Sequence, residues 1–110
     1  MALLGEPQFV PISAAASGAN TLVAAQGAGV KIRVLGIALV AASAVTATLQ
    51  SGAGGTNLTG AMSLGGASTK FFTIEEARLG ILETAANALL NLNLSGAVQV
   101  SGWLVWCTSQ

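Results

Sequence analysis

The stretch Leu89 to Cys107, LLNLNLSGAVQVSGWLVWC, decides the fold class. Leu90, Leu92 and Leu94 alternate with Asn91, Asn93 and Ser95. Successive side chains of an extended chain point to opposite faces, so this half reads as a half-buried β-strand. After Ser95-Gly96-Ala97 the alternation resumes, with Val98, Val100, Leu104 and Trp106 on one face and Gln99, Ser101, Trp103 and Val105 on the other. Two alternating runs around a short Gly-containing break predict a β-hairpin. Trp103 and Trp106 fall on opposite faces, which places one in the core and the other near an interface, where aromatic residues concentrate.

The same period recurs upstream. Val45, Ala47 and Leu49 alternate with Thr46, Thr48 and Gln50, and Val30, Ile32 and Val34 alternate with Lys31 and Arg33. Leu35, Ile37 and Leu39 continue in the other phase, a one-residue slip beside Gly36 of the kind a β-bulge produces. Val30 to Gln50 is therefore expected to be a second hairpin. Val10, Ile12, Ala14 and Ala16 form a further strand, joined through Ser17-Gly18-Ala19-Asn20 to Thr21–Gln26. Residues 1–12, with Pro7 and Pro11, read as an N-terminal arm or edge strand, because proline gives no N–H to a central ladder. Residues 13–110 form the domain proper. Thr73-Ile74-Glu75-Glu76 resembles a capping box, which allows one short helical turn over Ile74–Arg78, then a strand near Leu79–Glu83 and a turn at Thr84–Asn87. The expected fold is all-β: a compact sandwich of short antiparallel strands.

Composition limits function. The 110 residues are 53% hydrophobic and 7% charged with formal net charge zero, against a typical charged share of about a quarter. So little charge implies a surface largely covered by other subunits. Four basic residues, Lys31, Arg33, Lys70 and Arg78, cannot build a phosphate-neutralising patch, so no nucleic-acid partner is expected. The chain has no His, Asp or Tyr. A Ser or Cys nucleophile would lack an imidazole to activate it, and Glu6, Glu75, Glu76, Glu83 and Cys107 show no metal-ligand spacing, so neither an enzyme nor a cofactor or metal protein is expected. Ser51–Gly60, SGAGGTNLTG, lacks the Gly-Lys-Ser/Thr ending of a phosphate-binding loop and reads as a surface turn. MALLGEPQFV shows no signal-peptide pattern. The uncharged run Val34–Leu49 is short of a membrane span and divides into alternating halves, so no membrane partner is expected.

Four segments carry a family resemblance: Val30–Ala42 (VKIRVLGIALVAA), Ala44–Gly52 (AVTATLQSG), Asn57–Leu64 (NLTGAMSL) and Glu83–Trp106 (ETAANALLNLNLSGAVQVSGWLVW). In this order they resemble small structural proteins of tailed bacteriophages, of the head decoration or cement type. The resemblance implies a jelly-roll-like sandwich, a homotrimer, location on the virion after synthesis in the host cytoplasm, and binding to the assembled lattice of the major capsid protein. A receptor- or glycan-binding module of a tail fibre or spike is the alternative, working through loops at one end of the same fold. Phe9, Phe71, Phe72 and one of Trp103 or Trp106 are the expected apolar anchors of an interface. Lys31 and Arg33, on one face of a long strand, are placed to meet an acidic partner surface.

Overall fold

The computed structural model describes residues 5–65, 69–73 and 82–110, with 69–73 described by their backbone alone. Ten strands follow one another along these residues: β1 (Gln8–Ala14), β2 (Gly18–Val23), β3 (Lys31–Ala41), β4 (Val45–Ser51), β5 (Thr56–Asn57), β6 (Met62–Leu64), β7 (Thr69–Thr73), β8 (Leu82–Glu83), β9 (Leu90–Leu94) and β10 (Val100–Ser109). They form two antiparallel sheets, and the all-β sandwich expected from the alternation is the fold. Sheet A has the order β1-β10-β3, with β7 and β8 both pairing the far side of β3. Sheet B has the order β2-β9-β4, with β5 and β6 sharing the far side of β4. If each shared flank is counted as one strand, this is the eight-position order of a jelly roll.

The expected hairpins are not formed. β9 and β10 lie in different sheets, as do β3 and β4, and β1 and β2. Each short connection crosses the sandwich instead of turning within a sheet. Alternation cannot separate the two arrangements, because both strands present their apolar phase to the same core either way. Residues 95–99 and 42–44 are short, but a few extended residues at roughly 3.3 Å each span the ~10 Å between packed sheets. The two crossings brace each other, with the Ala42 N–H donating to the Gln99 carbonyl at 2.9 Å and the Ser95 N–H to the Thr46 carbonyl at 2.9 Å.

The slip beside Gly36 is present. Val34 pairs with Trp106 and Gly36 with Val105, leaving Leu35 as the extra residue. It keeps both halves of β3 in the core: Ile32 and Val34 before the bulge, Ile37, Leu39 and Ala41 after it. These meet Ala47, Leu49, Leu90, Leu92 and Leu94 of sheet B. Residues 8–12, read from sequence as part of an arm or edge strand, form most of the edge strand β1, whose proline at residue 11 suits an edge. Beyond β1, the Gly5 N–H donates to the Thr108 carbonyl at 2.8 Å.

The glycine-dense segment is a tight turn joining β4 to β5, with Gly52 and Gly54 at φ of 83° and 68°, conformations that favour glycine. The helical turn over Ile74–Arg78 lies outside the described residues. No helix among the described residues is long and apolar enough to cross a membrane; Val34–Leu49 is divided between β3 and β4.

Candidate interaction surface

Register defines the outward faces. Across sheet A, Val10–Leu104–Ile37 and Ala14–Val100–Ala41 are rows of core residues. The rows between them point outward: Phe9–Val105–Gly36, Pro11–Trp103–Ala38 and Ser13–Ser101–Val40. Phe9 is 67% exposed and Val40 38%, the exposed large hydrophobics among the described residues. Pro11 is exposed, and Trp103 and Val105 are half-buried. Leu35 and Ala38 are buried without belonging to the core between the sheets. An apolar stripe thus crosses β1, β10 and β3 on the outside of the sandwich.

The outside of sheet B is unlike it. Its rows are Ala19–Asn93–Thr48 and Thr21–Asn91–Gln50–Asn57, with Thr46 opposite Ser63. Asn91 Nδ2 donates to Gln50 Oε1 at 2.8 Å, and Gln50 Nε2 donates to Asn57 Oδ1 at 2.9 Å, so an amide ladder ties three strands together. Asn91 is fully buried within the ladder, and its Oδ1 has no hydrogen-bond partner.

Charge gathers at one end of sheet A. Arg33 and Glu83 are directly opposite in register, and Arg33 donates from Nε and Nη2 to Glu83 Oε2 at 3.1 and 2.8 Å. Lys31 Nζ stands 3.7 Å from the other carboxylate oxygen. Burial pushes the Glu83 carboxyl up, but hydrogen bonds from Arg33 and Ser109 and the charges of Arg33 and Lys31 outweigh it, so its pKa falls below the ordinary value. Next to the pair, Thr84 bonds both ways with β3: its N–H donates to the Ile32 carbonyl and its Oγ1 accepts from the Ile32 N–H, each at 2.9 Å. These contacts clasp β8 to the long strand.

The expected interface residues therefore separate. Phe9 and Trp103 come together on the outside of sheet A. Trp106 is 7% exposed and packs in the core, which removes it from the surface set. Phe71 and Phe72 lie on β7 in register with Ala38 and Ile37. Lys31 and Arg33 share the outer phase of β3, opposite core Ile32 and Val34, and there both reach Glu83 within the chain. Val105 and Pro11 join the stripe unannounced, although alternation had already put Val105 in the outward phase. Val40 falls in the phase opposite Ile37 and Leu39, which the slip beside Gly36 turns outward.

At one end of the sandwich, Thr46, Ser63 and Ser95 border an open depression of ≈ 300 Å³ with Leu64 and Ala44. Its described lining residues offer the hydroxyls of Thr46, Ser63 and Ser95 for hydrogen bonds. Among the described residues there is no group of three or more His, Cys, Asp or Glu placed to hold a metal ion. Comparison of the chain with protein-family models, with curated proteins and with solved structures found no match.

Proposed function

We propose that the chain is a structural virion protein of a tailed phage, a capsid decoration protein that binds the assembled head lattice as a trimer and stabilises it. The observation that carries this reading is the contrast between the two outer faces, one sheet covered by Phe9, Pro11, Trp103, Val105 and Val40 and the other by Thr, Asn and Gln. A sandwich with one apolar side is built to work inside an assembly. The near-absence of charge and the four segments that resemble phage structural proteins support the same reading. The mechanism is mass action: a protein that binds the closed lattice and not its separate subunits stabilises the lattice. Three copies on one platform add avidity.

Immunogold labelling of intact particles with antibody to this chain is the test. Gold over the whole head is the expected result, together with particles that open at lower temperature when the protein is missing. Unlabelled particles overturn the proposal. The hydroxyl-bordered depression beside Thr46, Ser63 and Ser95 supports a second reading, a receptor- or glycan-binding module, for which gold confined to the tail tip is the expected pattern.

A further inference from the structure

We infer that the depression at one end of sheet B binds a single neutral sugar residue, held by the hydroxyls of Thr46, Ser63 and Ser95. The inference names the ligand class for the recognition reading of that depression and rests on it; capsid decoration neither requires nor forbids such a site. The depression exists because the chain leaves sheet B there. β9 ends at Leu94, opposite Ala47, and the crossing to sheet A begins at Ser95. One substitute rung closes the gap beside β4: the Ser95 N–H donates to the Thr46 carbonyl and Ser95 Oγ accepts from the Thr46 N–H, each at 2.9 Å. On its other side Thr46 stands directly opposite Ser63 of β6. The three residues take the outward phase, next in sequence to core residues Val45, Ala47, Leu64 and Leu94, and line one concavity of ≈ 300 Å³ together with Ala44.

The hydroxyls are available to a ligand. Thr46 Oγ1 and Ser63 Oγ have no hydrogen-bond partner among the described residues, and Ser95 Oγ, already an acceptor, keeps its proton to donate. A hydroxyl both donates and accepts, so its natural complement is another hydroxyl. None of the described lining residues is charged, so an acidic or basic ligand would give up water there without a counter-charge beside it. A wholly apolar ligand would cover the hydroxyls without bonding them, which costs more than leaving them in water. Neighbouring strands stand about 4.8 Å apart, which spreads the hydroxyls of β6, β4 and the end of β9 over roughly 10 Å. A ligand that reaches all three is a compact body with polar groups on opposite edges, as a pyranose ring is. The volume sits at the lower end of the roughly 300–1,000 Å³ of small-molecule sites, which suits one ring.

The test is an amide NMR titration of the isotope-labelled full chain. The probes are the methyl glycosides of glucose, galactose, mannose and N-acetylglucosamine, the same four free sugars, and glucuronate as the acidic comparison. At least one neutral probe is expected to move the Thr46, Ser63 and Ser95 amides saturably with a Kd on the order of 1 mM, and glucuronate to bind more weakly. Tighter binding of a glycoside than of its free sugar marks a residue held in a glycan as the occupant, and the reverse marks a free sugar. Thr46→Val with Ser63→Ala is expected to weaken the best probe at least about tenfold. Valine keeps the shape of threonine and Ser63 is exposed, so unmoved amides elsewhere verify the fold of the double variant. No saturable shift up to about 50 mM of any neutral probe, shifts centred on other residues, glucuronate bound as tightly as the best neutral probe, or a double variant that binds like wild type each overturn the inference. Sugar binding at these three residues with gold over the head and none at the tail tip would sink the tail-tip reading alone; gold at the tail tip from a chain that binds no neutral probe would sink the inference alone.

Discussion

Arg33 and Glu83, fifty residues apart in the chain, meet at 2.8 Å and fasten a two-residue strand to the longest strand of the molecule. Their side chains are 20% and 28% exposed, so the pair is partly shielded from water. Because the folded carboxyl has the lower pKa, its contribution is present above the unfolded value near 4.3 and is lost as pH falls through the folded one. Glu83→Gln is expected to cost about 1 kcal/mol at neutral pH, with the difference from wild type closing in acid. Urea titrations of both proteins between neutral pH and the acid range measure it, and a pH-independent gap contradicts the account.

Gly102 occupies a place that only glycine fits. Its φ is 152°, and a β-carbon there would overlap the backbone carbonyl of Ala38 on the neighbouring strand. Backbone cannot give way as a flexible side chain can. Gly102→Ala is expected to lose at least about 3 kcal/mol, while Gly96→Ala, which meets nothing within 4 Å, stays within about 0.5 kcal/mol of wild type. Chemical denaturation of the two variants compares them, and equal stabilities refute the claim of close approach.

Asn91 sits fully buried in the amide ladder with one oxygen unpartnered. Asn91→Asp keeps the shape and adds a buried charge, with a cost of about 2–4 kcal/mol at pH 7. Burial raises the pKa of such a carboxyl, so the variant binds its proton more tightly folded than unfolded and the penalty shrinks at pH 4. The penalty is taken against wild type at each pH, which removes the effect of Glu83. A penalty unchanged between the two pH values argues against a dry ladder.

Cys107 is 2% exposed. Burial pushes its thiol up, the Arg33 charge opposes this and the Glu83 charge adds to it, leaving the pKa raised. A thiol that is both covered and protonated is a poor nucleophile. Native protein at pH 8 is expected to resist an aromatic disulfide reagent, and urea-unfolded protein to react at once with one thiol per chain. Rapid labelling of the native state would show that β10 opens at this point.

Much of the sandwich was legible in the chain because a strand half-buried on one side writes its orientation into every second residue. Leu90, Leu92 and Leu94 face the core as their spacing requires, and the change of phase after Val34 announced the bulge at Leu35. The separation of Trp103 from Trp106 followed from an odd interval of three. Sheet membership was not legible, because the alternation of β9 and β10 is the same whether their connection turns in the plane or crosses to the other layer. The partner of Arg33 was equally hidden: nothing local to Lys31–Val34 points to Glu83, which reaches them only once β8 has docked. The apolar stripe was half visible, with Phe9 and Trp103 singled out by their chemistry and Val40 left unremarked because an aliphatic side chain in the outward phase carries no signal of its own.

β10 lies between β1 and β3, in the interior of sheet A, although it is the last of the described strands. While the chain is being synthesised, β1 and β3 therefore have no common partner until residues 100–109 have left the ribosome. Sheet B waits in the same way for β9, which fills the gap between β2 and β4. The chain before residue 90 cannot close either layer alone, so both sheets wait for β9 and β10 to be made. Ribosomes stalled before residue 100 should carry a nascent chain that proteases degrade without resistance.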